Sequence, residues 1–400
     1  MTNFARAFLA CAAGLLWLPL SVFAQDKKEL HPILKNGVHF STADNAFSLA
    51  LRFRVQSRIG FTTTSESDWT PSSLDFRVRR MRLRLDGHVV DPRLTYQIQL
   101  SFSRADMDWD VSNVPNVLRD AMVWYQAAKG LSIGIGQGKL PGNRQRVISS
   151  GEQQFADRSI VNNALTLDRD VGAFAYYTFD RDAFGFRVKT AVTSGEGRNA
   201  LASDRGLAYT GRLEILPMGP FTDKNDYSEG DLVREPKPKL SIAGTIQYNE
   251  RARRTGGQLG RLLFEPRDLF NLEADMVLKY RGWALSSEYL YRHTDNAETR
   301  DAVTNDIRYA YIGEGINTQL SYCTHKMWEV GFRHSYLHPD RQLYSEDDNI
   351  VQYGLVLSKY LNKHRVKVQS DFFYERQYNP ESNQLNIGNF QWRFQVELGI

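Results

Sequence analysis

Apolar and polar residues alternate along many short segments of this chain. Between Leu49 and Ile59, most odd-numbered residues are apolar. The even-numbered residues of the same segment include Arg52, Arg54 and Arg58. Successive side chains of a β-strand point to opposite faces, so a period of two predicts a strand with one apolar face and one cationic face.

The segment 76–85 repeats this alternation, with five arginines among five apolar residues. Arg82 and Arg84 share one face of the predicted strand, and apolar residues occupy the other. The doublet Arg79-Arg80 breaks the phase once, which predicts a β-bulge at this point because a bulge inserts one extra residue into a strand.

The pattern continues to residue 400 and predicts about sixteen strands. They lie near residues 49–59, 76–89, 94–102, 118–126, 131–139, 171–179, 184–193, 207–216, 238–249, 271–281, 283–292, 315–323, 327–337, 350–360, 364–376 and 389–400. Some connections are very short, such as 180–182, and others are long and polar, such as 104–116 and 218–237. An even number of strands, with short turns at one end and long loops at the other, is typical of bacterial outer-membrane barrels.

Two all-β folds share such alternation, a soluble sandwich or propeller and a transmembrane barrel. A sandwich buries each apolar face against a second layer, and these strands leave no segment to supply one. The pattern therefore favours a transmembrane antiparallel β-barrel over residues 47–400, with its apolar faces toward lipid. Aromatic residues near strand ends, among them Tyr176 and Tyr360, are then expected in girdles at the membrane interfaces.

Composition narrows the class further. After the N-terminus no run of about eighteen apolar residues occurs, so the sequence predicts no spanning helix. The net charge of +4 is too close to balance to indicate nucleic-acid binding. The sequence contains no motif for a cofactor, and the acidic segment 106–110 lacks the glycine and final glutamate of a calcium loop, so we predict neither cofactor nor metal.

The first residues resemble an export signal. Arg6 precedes an apolar core over residues 8–22, and small residues at 22 and 24 predict cleavage after residue 24. We therefore predict a signal peptide over residues 1–24 and a polar periplasmic lead-in over residues 25–46.

A wet lumen would be lined by the polar faces of the strands. The first two strands contribute a predicted basic wall, formed by Arg52, Arg54, Arg58, Arg82 and Arg84. A cationic wall attracts anions, and a guanidinium can hold a phosphate or carboxylate through two hydrogen bonds. Basic and acidic lumen residues could instead pair across the barrel. We favour pairing for the later strands and anion attraction for the first two, which carry hardly any acid.

A long segment, residues 139–170, follows the glycine-rich strand near 131–139, whose glycines would give it room to fold inward. It carries Arg146, Ser149 and Arg158, and loops of this length are usually functional. Hydroxyls between cationic groups suit a partly dehydrated oxyanion, because each lost water contact finds a replacement. The alternative is an ordinary surface loop.

Several motifs share their order and spacing with a known family. They are Arg79-Arg80-Met81-Arg82-Leu83, Leu118-Arg119-Asp120-Ala121, Gly136-Gln137-Gly138-Lys139-Leu140-Pro141, Asp157-Arg158-Ser159 and Arg169-Asp170-Val171-Gly172. The chain resembles the phosphate-selective porins in these segments. The resemblance implies a homotrimer of sixteen-stranded barrels whose third loop folds inward as a constriction. It also implies an anion site formed by Arg79, Arg80, Asp120, Arg146, Ser149, Ser150 and Arg158.

These observations lead to one principal hypothesis, a porin of the Gram-negative outer membrane. It would be a passive diffusion channel that prefers small anions such as phosphate, pyrophosphate or polyphosphate, or carboxylates. The alternative is an outer-membrane barrel enzyme of the lipase or protease type, for which His88 and His334 are the strand histidines to test. A third hypothesis is a structural barrel blocked by its own loops.

Overall fold

The computed structural model describes residues 37–107, 116–200 and 205–400. The predicted signal peptide and most of the predicted lead-in lie outside the described residues. Among the helices within these ranges, none is long and apolar enough to cross a membrane.

The described residues form nineteen strands. They are β1 (Val38–Ser41), β2 (Phe47–Thr63), β3 (Pro71–Val89), β4 (Asp91–Ser101), β5 (Leu118–Ala128), β6 (Leu131–Lys139), β7 (Arg169–Asp180), β8 (Gly185–Thr193), β9 (Ala208–Leu216), β10 (Lys239–Arg254), β11 (Leu262–Tyr280), β12 (Trp283–His293), β13 (Glu298–Arg300), β14 (Ile307–Tyr309), β15 (Gly313–Cys323), β16 (Trp328–Pro339), β17 (Asn349–Asn362), β18 (Val366–Tyr378) and β19 (Leu385–Gly399). Sixteen of them, β2–β12 and β15–β19, pair antiparallel with their neighbours, and β19 pairs with β2 to close the barrel. The predicted sixteen-stranded barrel is confirmed.

Two short elements lie outside the cylinder of sixteen strands. The hairpin β13–β14 belongs to the loop after β12. Strand β1, within the predicted lead-in, pairs with β2 from Val38 opposite Leu51. Since the pairing of β19 with β2 ends where Gly399 meets Arg54, β1 continues the wall where β19 stops.

The barrel is polar inside and apolar outside, the reverse of a soluble domain. In β10 the inward Ser241 and Thr245 are 0% and 2% exposed, whereas the outward Ile242 and Ile246 are 50% and 52% exposed. This alternation follows from the pleat of a strand between a lumen and a lipid-facing exterior.

The aromatic residues divide between the two faces. Trp283 and Trp328 lie on the outer surface, as expected for an interfacial girdle. The expectation is wrong for Tyr176, which faces the lumen, and for Tyr360, which is buried with its hydroxyl on Glu329. A position near the end of a strand does not determine whether a side chain faces lipid or lumen, because a shift of one residue along the strand reverses the face.

Two β-bulges place consecutive charged residues in the lumen. The register of β2 against β3 skips Arg79, which confirms the predicted bulge. A second bulge, between β4 and β5, skips Arg119. A bulge turns two neighbouring side chains to one face, so Arg79 with Arg80, and Arg119 with Asp120, point inward.

The connections have the expected asymmetry with one exception. Turns at one end are short, such as residues 129–130 and 281–282. The connection 217–238 lies at this same end but is long, because it folds back into the barrel. Its buried carboxylates include Asp226 and Asp231, which are 0% exposed. We call residues 217–238 the turn-side loop.

The constriction loop, residues 140–168, also folds into the lumen. It contains two short helices, α1 (Arg144–Val147) and α2 (Ile160–Leu165). Val161 and Leu165 of α2 pack against Leu290 and Leu337 on the far wall. The two inward loops meet where the amide of Glu229 donates to the carbonyl of Glu152 at 2.7 Å. The inward fold implied by the family resemblance is confirmed.

Candidate anion site beside the constriction loop

A cavity of about 250 Å³ lies between the constriction loop and strands β3–β7. Six of its lining residues are basic, namely Arg82, Arg84, Arg119, Lys139, Arg158 and Arg169. One carboxylate, Asp120, lines the cavity with them. Ser149 and Ser150 add hydroxyl groups, and Met122, Trp124 and Tyr176 add an apolar wall. The cavity therefore combines excess positive charge with an apolar surface.

Three of the six basic residues form ion pairs with carboxylates of the barrel wall or of the loop after β4. Arg82 and Arg119 bind the two oxygens of Asp106 at 2.6 Å and 2.9 Å. Arg84 binds Asp86 at 2.8 Å. These pairs neutralise much of the positive charge on this side of the lumen.

A fourth pair joins the wall to the end of the constriction loop. Arg169 bonds to Asp120 at 2.7 Å and to Asp168 at 3.1 Å. Arg146 also bonds to Asp168, and its side chain is 12% exposed. Asp120 thus lines the predicted site as the partner of a cation, while Arg146 does not line the cavity.

Lys139 and Arg158 differ from the other four. Within the part of the chain that the structure describes, neither has a carboxylate within 4.0 Å. The ammonium of Lys139 donates to the carbonyls of residues 146–148 at 2.9–3.1 Å. Arg158 donates to the carbonyls of Gln145 at 2.8 Å and Ile148 at 2.9 Å. Both cations thus bind the carbonyl end of α1 rather than an anion.

The surroundings of Arg158 concentrate positive charge. Burial, followed by the charges of nearby arginines such as Arg146 and Arg80, lowers the pKa of the Arg158 guanidinium well below its usual value. An arginine nevertheless stays charged in proteins, so the lowered pKa reports the cost of holding a cation in a buried site close to other cations. A bound anion would relieve it.

The serine pair lies between cations, as the sequence predicts. The hydroxyl oxygen of Ser150 accepts from Arg54 at 2.7 Å and from Arg82 at 2.8 Å. A hydroxyl has two acceptor lone pairs and one proton, so Ser150 keeps its proton available to donate. Ser149 lines the same cavity, and its hydroxyl accepts a longer bond of 3.5 Å from Arg54.

Arg79 and Arg80 lie away from the cavity and anchor the constriction loop instead. Both contact one oxygen of Asp157 at 3.0 Å. Arg58 and Arg393 contact the other oxygen at 2.6 Å and 3.4 Å. Burial raises the pKa of Asp157, but the four guanidiniums outweigh it and hold the pKa well below the usual value. We call these five residues the Asp157 anchor.

The five arginines of the predicted basic wall therefore have different positions and partners. Arg82 and Arg84 line the cavity, Arg58 belongs to the Asp157 anchor, and Arg54 holds the serine pair. Arg52 binds Asp86. The first two predicted strands do carry few carboxylates of their own, but folding brings Asp106 and Asp157 from loops and Glu397 from β19 to their arginines.

The glycines of β6 make room for side chains of the neighbouring strand, not for the constriction loop. A Cβ atom on Gly134 would lie 2.5 Å from the Trp124 ring, and one on Gly138 would lie 2.9 Å from Met122. The Trp124 ring can therefore lie over β6, with its centroid 4.8 Å from that of Tyr176. Sequence reasoning missed this apolar wall, because it assigned Tyr176 to the outer girdle.

The two histidines proposed for an enzyme site lie in different settings. The Nδ1 atom of His88 is 2.6 Å from the hydroxyl of Ser48, and its Nε2 is 2.7 Å from the carbonyl of Asn45. His334 packs against Tyr353 with ring centroids 5.1 Å apart. Among the described residues, the ring nitrogens of His88 meet a hydroxyl and a backbone carbonyl, and no carboxylate orients the imidazole as a nucleophile–base pair requires.

Solved outer-membrane proteins share this fold. The outer membrane channel DcaP of Acinetobacter baumannii has a TM-score of 0.54 and 11% identity, covering 90% of this chain and 99% of DcaP. Salmonella typhi OmpF, solved in complex with daunomycin, has a TM-score of 0.53 and 13% identity, covering 90% of this chain and 100% of OmpF. OmpT of Vibrio cholerae in its trimer form has a TM-score of 0.51 and 12% identity, covering 89% and 100%. At such low identity these similarities show the fold.

Family membership rests on the sequence. Among curated proteins, none matches the chain by sequence. Residues 50–343, well over half of the chain, match the sequence model of the family described as phosphate-selective porin O and P. Together with the barrel fold, this match identifies an outer-membrane channel of a Gram-negative cell, and the chain belongs to the phosphate-selective porin O and P family.

Proposed function

We propose that this outer-membrane channel prefers anions and that its selective site is the cavity beside the constriction loop. The observation that carries the proposal is the pair of cations, Lys139 and Arg158, which bind neutral carbonyls and no carboxylate among the described residues. Their charge is available to a passing anion, whereas the other basic lining residues share carboxylates. Phosphate, pyrophosphate or polyphosphate, and carboxylates carry the oxyanion groups that such a site would hold.

In the proposed mechanism, the anion loses part of its hydration shell and gains hydrogen bonds from donors that the protein holds in place. An oxyanion that enters the cavity exchanges water for the guanidinium of Arg158 and the hydroxyls of Ser149 and Ser150. Each charge-assisted hydrogen bond contributes about 1.5–3 kcal/mol net. The total must stay modest because a conducted ion has to leave, which suggests micromolar to millimolar half-saturation, or roughly −8 to −4 kcal/mol.

The first prediction concerns ion selectivity. In a planar bilayer with a potassium chloride gradient, the zero-current potential should show a preference for chloride over potassium. The preference should be largest at low salt, because the Debye length is about 30 Å at 0.01 M and about 3 Å at 1 M. A preference for cations at low salt would contradict the proposal.

A second prediction concerns assembly. We propose a homotrimer, supported by family membership and by the trimer form of the V. cholerae OmpT that shares the fold. Unheated protein should migrate in a detergent gel as a compact oligomer and change to a monomer band after boiling, because a closed barrel leaves no unpaired strand edge to detergent. A monomeric mass in mild detergent would exclude the trimer.

Conductance and hydrolysis measured on the same purified protein distinguish a channel from the barrel enzyme. Stepwise conductance that survives Ser48→Ala is expected for a channel, because Ser48 lies on β2 away from the cavity. Hydrolysis of ester or peptide substrates without any conductance would instead favour the barrel enzyme, and its loss in Ser48→Ala would assign the site to Ser48 and His88.

A further inference from the structure

We propose that the cavity is built for an anion that carries a planar aromatic body, and specifically for an aromatic carboxylate. The inference rests on the proposed anion site and names the class of ligand that fits the whole cavity. A bare phosphate would contact only the cationic and hydroxyl groups. The same cavity also presents a continuous apolar surface.

The apolar surface lies where a porin lumen is usually polar. Phe174 is 2% exposed and belongs to a small core with Met122. Trp124 and Tyr176 pack at the edge of this core but remain partly exposed, and both line the cavity. The buried core consists of Met122, Leu140, Leu167, Phe174 and Ala191, and the two rings present part of their surface to the cavity beyond it.

The arrangement of the rings is set by the neighbouring strand. Trp124 lies directly opposite Gly134, with its ring centroid 6.0 Å from that of Phe174. Any larger residue at 134 would collide with the indole, since a Cβ would approach it to 2.5 Å. Glycine thus allows the indole to lie against the wall and leaves the space beside it open to the lumen.

The size of the cavity fits a ring together with its charged group. An apolar cavity of about 150 Å³ suffices for benzene in a protein interior. The cavity here is about 250 Å³, which leaves space for a carboxylate and its remaining water. The carboxylate would accept from Arg158 and the serine hydroxyls, while the ring would pack on Trp124 and Tyr176.

Competition for chloride current tests this assignment. Benzoate, acetate and phosphate are added to the open channel, and the half-saturation for block is measured for each. We expect benzoate to block at about tenfold lower concentration than acetate, because only benzoate adds ring contact. Trp124→Ala should remove this advantage and leave the phosphate block unchanged, and Trp124→Phe should retain most of it.

The matched control is Tyr125→Ala, the outward-facing neighbour on the same strand, which should leave all three blocks unchanged. Tyr176→Ser provides a second lumen variant if Trp124→Ala does not assemble. Equal block by benzoate and acetate in a channel that phosphate blocks would overturn this inference and leave the proposed function intact. An advantage of benzoate that persists in both lumen variants would also overturn it. Failure of phosphate and both carboxylates to block would overturn the proposed function as well.

Discussion

Asp157→Asn is expected to release the constriction loop from the barrel wall. The substitution removes the carboxylate shared by Arg58, Arg79, Arg80 and Arg393 and leaves their charges uncompensated. Breaking a buried ion pair by removing one partner costs about 3–5 kcal/mol. Single-channel current should therefore become larger and noisier, because the loop would no longer be held across the lumen.

A second readout separates loop release from the change in charge. Trypsin should cleave the variant within residues 140–168, where Arg146 and Arg158 become accessible, and should leave this loop of the parent intact. The control is Asp182→Asn, which removes an exposed carboxylate in the turn after β7. Unchanged current noise together with a protected loop would show that the anchor is not what holds the loop.

The anchor also predicts the response to acid. The pKa of Asp157 is lowered on folding, so its stabilising contribution is fully present above the ordinary value of about 3.9. It is lost only as the pH falls through the lowered folded value. The parent loop should therefore stay protected from an acid-active protease such as pepsin at about pH 4.5, and release of the loop at that pH would contradict the assignment of these contacts.

Arg158→Ala is expected to weaken phosphate block of the chloride current by about tenfold or more, because it removes one charge-assisted donor worth about 1.5–3 kcal/mol. The barrel should stay folded, since Arg158 lies on the constriction loop. Arg158→Lys should give an intermediate block, because lysine keeps the charge but lacks the planar fork that holds an oxyanion through two bonds.

Arg300→Ala is the matched control for this experiment. Arg300 lies on the exposed hairpin β13–β14, where it binds Glu298 at 2.6 Å. Its loss changes the net charge by the same amount at a distance from the cavity. Equal phosphate block in the parent and Arg158→Ala would contradict the proposed site, as would equal weakening by both substitutions.

Local patterns were sufficient to predict the barrel. Alternation with a period of two located all sixteen barrel strands, because each residue of a strand takes its face from the pleat alone. The bulge at Arg79 was also predictable, since two adjacent arginines break that period. The bulge at Arg119 was not, because Arg119 and Asp120 follow each other without a visible break in an apolar series.

The distribution of charge inside the barrel was decided by the tertiary structure. Asp157 and Arg393 are 236 residues apart, and only the closed barrel and the inward loop bring them together. The same holds for Arg82 with Asp106 and for the buried turn-side loop. Sequence by itself determined the face of residues in the regular parts of the strands, because that choice is local, but it misplaced Tyr176 and missed the bulge at Arg119. It could not determine which basic side chains form ion pairs, since their carboxylate partners lie on loops and strands that are distant in the sequence.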